Sequence, residues 1–296
     1  MIKTDDSEYR RANSLVCEIA NSVGTSEALA FSTELQIERG PMTEQDHPSD
    51  RPTALVTGGR GGIGLAICSR LADEGWHVVS VDYTPGAAPA LGLSVTADLS
   101  TRQGNLNAVE ATLARFGRLD AVIPVAGFQH VNPVATFDSD IWDRMLAVML
   151  TSPFLLAKAS WDSLKASPRG GRFLPVASAH GLVASPFKSG YVSAKHGVVG
   201  LTKVLALEGA EFDITATAIC PGYVRTPLVE NQIAEQAAAH GIPEERVLSE
   251  ILLGAQAVKE MIEPEVIGDA VMMLLGPVGR TLTGSTLTMD FGWTAR

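Results

Sequence analysis

Tyr191 and Lys195 stand four residues apart in a segment with helical patterning from Tyr191 to Leu207, so their side chains leave one face of that helix. A free tyrosine loses its proton at a pKa of about 10, too high for efficient acid–base work at neutral pH. A lysine ammonium one turn away stabilises the phenolate and is expected to lower that value. Ser178 lies thirteen residues upstream of Tyr191, at the end of an apolar run that reads as a strand. Its hydroxyl there could steady a substrate oxygen beside the phenol. A lone Tyr-x-x-x-Lys pair is an ordinary feature of amphipathic helices, so the reading depends on a second feature upstream.

That feature is the run Thr57-Gly58-Gly59-Arg60-Gly61-Gly62-Ile63-Gly64, placed between a strand and a helical pattern carried by Leu65, Ala66, Ile67 and Leu71. Small residues let the backbone turn tightly, approach a pyrophosphate and aim helix N-terminal amides at it. The second strand ends in Asp82, eighteen residues after Gly64. A carboxylate there accepts hydrogen bonds from adenosine ribose hydroxyls and repels a 2′-phosphate, which points to NAD. Arg60 pulls the other way, toward NADP. Asp98 ends the third strand and reads equally as an adenine contact or as a cap for the next helix.

Positioning these groups requires a sheet. The runs Ala54–Thr57, His77–Asp82, Leu93–Asp98, Leu119–Ala126, Gly171–Ser178, Ile214–Cys220 and Ser285–Asp290 are strand candidates, apolar on both faces and separated by helix-length segments. This predicts an α/β fold, a Rossmann-type doubly wound parallel β-sheet with helices on both faces, in one domain over residues 52–296. Residues 1–51 are polar and read as a flexible N-terminal extension, with a weak amphipathic helix between Ser7 and Leu35. Met42 is an alternative natural start.

Composition narrows the function classes. A formal net charge of −10 argues against nucleic acid and anionic membrane surfaces as partners, and no apolar run is long enough to span a bilayer. Cys17, Cys68 and Cys220 are too few and too scattered for a disulfide framework or a metal knuckle. A reducing, cytoplasmic location and no metal are the expectations.

The glycine run, the Ser178, Tyr191 and Lys195 spacing, and Pro221-Gly222 after the sixth strand together resemble the short-chain dehydrogenase/reductase family over about residues 52 to 296. The resemblance implies a nicotinamide cofactor, Tyr191 as acid and base, and a homotetramer. It places the cofactor against Gly58, Arg60, Gly62, Ile63, Gly64, Asp82, Asp98, Leu99, Ala126, Gly127, Tyr191, Lys195, Pro221, Gly222, Val224 and Thr226. The stretches Ala177 to Val204 and Cys220 to Ile233, with the terminal Gly292-Trp293-Thr294-Ala295-Arg296, are similar to the bacterial D-3-hydroxybutyrate dehydrogenases within that family. That similarity implies that Gln129, His180, Lys188 and Gln232 hold a substrate carboxylate beside Ser178 and Tyr191, with Trp293 closing the methyl side. The physical logic stands by itself: a small hydroxy acid offers one carboxylate, which a lysine, a histidine and two amides can neutralise and orient.

The chain departs from the family pattern, or at Tyr223 and Pro175 from that of its closer relatives, at four places. Tyr223 replaces a tryptophan. Pro124-Val125-Ala126-Gly127 replaces Asn-Asn-Ala-Gly, Pro175 replaces an asparagine in the fifth strand, and Met149 stands where a helix asparagine relays protons to the lysine. Methionine offers no such relay. Either catalysis is lost, leaving an NAD-binding sensor or scaffold, or a buried polar cluster was replaced as a set by apolar groups and activity persists at a reduced rate. A dehydrogenase acting on another secondary alcohol or ketone is the remaining alternative.

Overall fold

The computed structural model describes Gln36–Arg39, residues 51–230 and residues 232–295. Seven strands lie side by side in the order β1 (Gln36–Arg39), β4 (Leu93–Thr96), β3 (His77–Asp82), β2 (Thr53–Thr57), β5 (Ala121–Ile123), β6 (Arg172–Phe173) and β7 (Thr215–Ala216). A second ladder joins β8 (Ala218–Pro221) to β9 (Thr286–Met289). Every pairing from β2 to β9 is parallel. All seven expected strands are present, and β1 adds an edge strand that the sequence reading did not assign. The expected helix between Ser7 and Leu35, residues 40–50 and Met42 lie outside the described residues. The chain winds outward in both directions from β2 and β5, which opens a crevice at their carboxyl ends, where ligands bind in such sheets.

Five strands are shorter than expected, β4 and β9 by two residues each, and for the other three two prolines give the reason. Hydrogen bonds from Leu174 N to Val122 O (2.9 Å) and from Val176 N to Pro124 O (2.8 Å) carry the β5–β6 pairing beyond Phe173. Pro124 has no N–H to return to β6. Pro175 likewise accepts from Ile219 N (3.0 Å) but cannot donate toward β7 at Thr217, where that strand divides into β7 and β8. An isolated pairing of Val176 with Ile219, with Ala177 N donating to Ile219 O (2.7 Å), carries the β8–β9 ladder on from the first. Beyond the prolines the strands splay. Val125 N and Ala126 N turn instead to the Thr57 hydroxyl, at 3.0 and 3.1 Å.

Helix α1 (Gly62–Asp73) buries Gly64, Ile67, Cys68 and Leu71, a stripe at helical spacing that packs in the core with β2 and β3. Ile267, Val271 and Leu274 of α7 (Pro264–Leu275; α2 to α6 are introduced below) join the same core. Gly268 lets the two helices close up, since a Cβ there would sit 3.3 Å from Ala66 O. On the other side of the sheet, α2 (Arg102–Phe116), α4 (Ser152–Lys165) and α5 (Ser189–Gly209) follow β4 and flank β6. Helix α3 (Ser139–Leu146) runs into α4 through a π-helical turn, Ala147–Thr151, which holds Met149.

At the opposite end of the sheet, buried Asp120 ties three elements together. Its carboxylate accepts from Thr53 N (2.8 Å), from Arg118 Nε (2.8 Å) and Nη2 (2.7 Å), and from Ser167 Oγ (2.6 Å). Asp120→Ala removes the acceptor and leaves the buried Thr53 N–H without it. We expect a loss of about 2–4 kcal/mol in urea unfolding, with the crevice at the carboxyl ends of the strands left intact because Asp120 lies at the other end.

Candidate active site

The turn after β2 is built by backbone contact. Gly58 adopts a φ of +63°, and a Cβ on it would lie 2.9 Å from Ala126 N and Cα. A Cβ on Gly64 would lie 2.0 Å from the carbonyl oxygen of Gly58. Only glycine fits either position. The turn, the end of β3 and the end of β5 line a cleft of about 630 Å³ that contains Gly58, Arg60, Gly62, Ile63, Gly64, Asp82, Asp98, Leu99, Ala126 and Gly127. Asp82 accepts from Arg60 N (3.2 Å) and from Thr84 N and Oγ1 (both 3.3 Å), so its carboxylate is fixed at the rim of this cleft. The Arg60 side chain lies over Gly86, where a Cβ would be 1.4 Å from Nη2, and Nη1 is buried with no hydrogen-bond partner. Asp98 accepts from Ser100 N (2.9 Å) and Oγ (2.7 Å), while Thr101 caps α2. Asp98 therefore braces the turn into α2 and lines the cleft at the same time.

Tyr83, Phe128 and Arg144 also line this cleft and were not singled out from the sequence. The Arg144 guanidinium lies 5.8 Å from the Tyr83 ring centre and 5.9 Å from that of Phe128. Three separate elements meet there, and no local spacing links them. Thr57, which holds Ala126 in place, was equally hidden.

A second, smaller cavity adjoins the first and shares Ile63, Val125, Gly127 and Thr226 with it. It gathers Ser178, Tyr191 and Lys195 together with Gln129, His180, Lys188, Gln232, Trp293, Pro221, Gly222 and Val224. Every site residue expected from the sequence thus lines one of two connected cavities.

Ser178 ends the β6 extension, and its hydroxyl accepts from His180 N (3.1 Å) and hydrogen-bonds Tyr191. Tyr191 and Lys195 share the inner face of α5, with Lys195 Nζ 5.5 Å from the phenol ring centre. The expected lowering of the Tyr191 pKa by Lys195 does not appear in this protein alone. Burial raises the phenol above its ordinary value and outweighs the Ser178 hydrogen bond. Burial also brings the Lys195 ammonium down to about 8, and Nζ donates to Val176 O at 2.8 Å. Met149 is buried against Gly127, where a Cβ would be 3.0 Å from its Sδ, and packs with Met145, Ala194 and Tyr191. A π-turn leaves one backbone step out of α-helical register, a device found often at functional sites.

The substrate end is aromatic and cationic. His180 is edge-on to Trp293 (4.8 Å) and to Tyr191 (5.9 Å), and its Nε2 lies 3.0 Å from Ser185 Oγ. Burial and the nearby Lys188 push the imidazole down to about 3, so it is neutral. Lys188 opens α5 and is only 2% exposed, with Nζ 3.4 Å from Gln232 Oε1 and 3.5 Å from the Tyr223 hydroxyl. Gln129 also lines the cavity, though its Oε1 accepts from His130 N. Above these residues sits the segment Tyr223 to Glu263, including α6 (Ile233–His240), with Val229, Val247 and Leu252 in its own small core. Its base is closed by Arg225 N to Ile262 O and Ile262 N to Tyr223 O, both 2.9 Å. Asp290 folds the C-terminal tail by accepting from Gly292 N and Thr294 N, which delivers Trp293 to the cavity.

The family model described as short chain dehydrogenase matches residues 52–237. The chain belongs to the short-chain dehydrogenase family. It is 41% identical over 256 residues to a D-beta-hydroxybutyrate dehydrogenase of Rhizobium meliloti, covering 82% of this chain and 99% of that protein. It is 37% identical to a D-beta-hydroxybutyrate dehydrogenase of Cupriavidus necator, covering 82% and 98%. Among solved structures, levodione reductase superposes with a TM-score of 0.75 at 30% identity, covering 83% of this chain and 98% of that one. Family membership makes the chain an oxidoreductase that uses a nicotinamide cofactor, and the glycine turn borders a cleft of about 630 Å³ that such a dinucleotide would fit. Among the described residues no helix is long and apolar enough to cross a membrane, and no cluster of side chains could hold a metal ion.

Lys188 has a specific consequence for stability. Its folded value of about 8 lies below its ordinary 10.5, so at pH 7 a buried ammonium weighs fully against folding. As pH rises from about 8 toward 10.5 the folded state gives up this proton first, and the penalty fades. Lys188→Met should therefore stabilise the ligand-free protein by about 1–3 kcal/mol at pH 7, a gain that shrinks toward pH 10. Urea unfolding at the two pH values checks this; a destabilised variant at pH 7 contradicts it.

Proposed function

We propose that this dehydrogenase interconverts D-3-hydroxybutyrate and acetoacetate with NAD(H). The observation that carries the reading is the buried Lys188 ammonium, which pairs with no carboxylate among the described residues and lines the same small cavity as the Tyr191 hydroxyl. An anion on the substrate supplies the missing charge. Gln232 and neutral His180 add polar contacts, Gln129 lies at the same cavity wall, and Trp293 closes the apolar end. The two D-beta-hydroxybutyrate dehydrogenases among the relatives support the same substrate. Asp82 at the cleft rim supports NAD over NADP, since a 2′-phosphate would meet its carboxylate; the Arg60 side chain is turned onto Gly86.

In oxidation, Tyr191 takes the hydroxyl proton while Ser178 hydrogen-bonds the same oxygen and holds the carbon in line. Bound NAD supplies the hydride acceptor at its nicotinamide ring. Lys195 is the cation available to stabilise the phenolate against the burial that raises the phenol in the ligand-free protein, and it keeps donors free for the cofactor's ribose hydroxyls. Pro221, Gly222, Val224 and Thr226 would hold the nicotinamide end of the cofactor. The segment Tyr223 to Glu263 acts as the lid that excludes water. The exposed apolar side chains of Phe154 on α4 and of Val204 and Leu207 on α5 support a homotetramer. The free thiols Cys68 and Cys220 support a reducing, cytoplasmic setting.

The direct test is NADH formation from D-3-hydroxybutyrate, compared with NADP as cofactor and with Tyr191→Phe as control. We expect NAD-dependent turnover that falls by at least about a hundredfold in the variant. Clear NAD binding without turnover on any hydroxy acid would instead support the sensor reading, which the apolar Met149 favours. Turnover restricted to neutral alcohols would make this a dehydrogenase with a different substrate.

Met149 generates a separate prediction. With a thioether at position 149 offering no proton relay, the proton from Tyr191 leaves through solvent in the cleft, a slow route if that step limits turnover. Met149→Asn should raise kcat by about threefold or more, measured at saturating substrate; an unchanged or lower kcat counts against this route.

A further inference from the structure

The Tyr223 phenol is buried, with its ring stacked on Trp293 at 5.4 Å and an interplanar angle of 9°, and edge-on to His180 at 6.5 Å. Its oxygen faces Lys188 Nζ at 3.5 Å. An ammonium is a donor only, so in that contact the phenol oxygen accepts. Among the described residues no acceptor takes the phenol's own proton. Burial holds the phenol well above the ordinary tyrosine range, so the proton is present at any working pH. A buried hydroxyl donor with no acceptor is costly and rare in folded proteins. Lys188 is in a related position: two of its three N–H directions meet Tyr223 and Gln232 Oε1, and the third is left over.

We propose that Tyr223 is a specificity-determining residue whose phenol donates a hydrogen bond to a substrate carboxylate oxygen that the Lys188 ammonium also holds. This rests on the hydroxy-acid reading above and extends it to a residue that the carboxylate contacts expected from the sequence did not include. The stack on Trp293 fixes the ring, so little side-chain freedom is lost when the bond forms. A short O–H···O⁻ bond beside an ammonium is among the stronger interactions a protein can offer a carboxylate. A neutral ester presents no such oxygen, and so the same pair of residues separates acids from their esters.

Tyr223→Phe removes the hydroxyl and keeps the ring on Trp293, and NADH binding followed by fluorescence checks that the variant is folded. We expect KM for D-3-hydroxybutyrate to rise about tenfold or more with kcat little changed. The ratio of kcat/KM for the acid to that for its methyl ester should fall by the same factor, and competitive inhibition by acetate should weaken in parallel. If acid and ester lose equally, or if KM and the acetate inhibition constant do not move, Tyr223 is only a packing residue and the inference is overturned. The broader reading fails differently: the wild-type protein would then turn over the ester or neutral alcohols and leave the acid untouched.

Discussion

The hydrogen bond from Lys195 Nζ to Val176 O is the interaction on which the reacting end depends. In an uninterrupted parallel sheet the Val176 carbonyl would accept from the facing strand. Here Ala126 N, the donor on that side, has turned to the Thr57 hydroxyl. Pro124 and Pro175 cause the change, because each withdraws a backbone donor as the strands reach their carboxyl ends. The splayed ends leave polar backbone groups that must be satisfied. Side chains from β2 and α5 do so, and in doing so they set the walls of the dinucleotide cleft and the position of the lysine beside Tyr191.

Electrostatics separates the two cavities. Asp82 and Asp98 line the larger cleft together with Arg60 and Arg144, whereas the inner cavity contains two buried lysines, a neutral histidine and no carboxylate among its lining residues. Burial lowers both lysines and raises both Tyr191 and Tyr223, the pattern of charged forms disfavoured by desolvation with no compensating anion. A protein that keeps such a cavity carries a stability penalty that a bound anion removes. The segment Tyr223 to Glu263 and the folded tail complete this cavity. They bring Gln232 and Trp293 from distant parts of the chain to its wall.

The π-turn at Ala147–Thr151 bears on the family departure at Met149. Its neighbours are Met145, Ala194, Tyr191 and the backbone of Gly127, so the thioether faces apolar groups and leaves no amide or hydroxyl stranded. Pro124 and Pro175 lie on the strands beneath the same site. The close packing around Met149 favours a repacked interior over random decay at that position.

Much was legible before any coordinates. Alternation of apolar runs with helix-length segments determined the α/β class and located seven strands, because a sheet covered on both faces leaves no polar side to disguise it. The glycine run determined the turn, because a Cβ at Gly58 or Gly64 would strike backbone. Spacing placed Tyr191 and Lys195 on one helical face. The sequence could not show where the strands stop cooperating, because that depends on which neighbour each proline faces. Nor could it show that Tyr83, Phe128 and Arg144 converge, since three elements distant in sequence supply them. The sign of the Tyr191 shift was also beyond it: adjacency to Lys195 argued for a lowered value, and only the packed surroundings reveal that desolvation wins. Residue type and spacing determined which groups could react. Tertiary burial decided their charge states, because it leaves Lys188 and Lys195 in a cavity that no carboxylate lines.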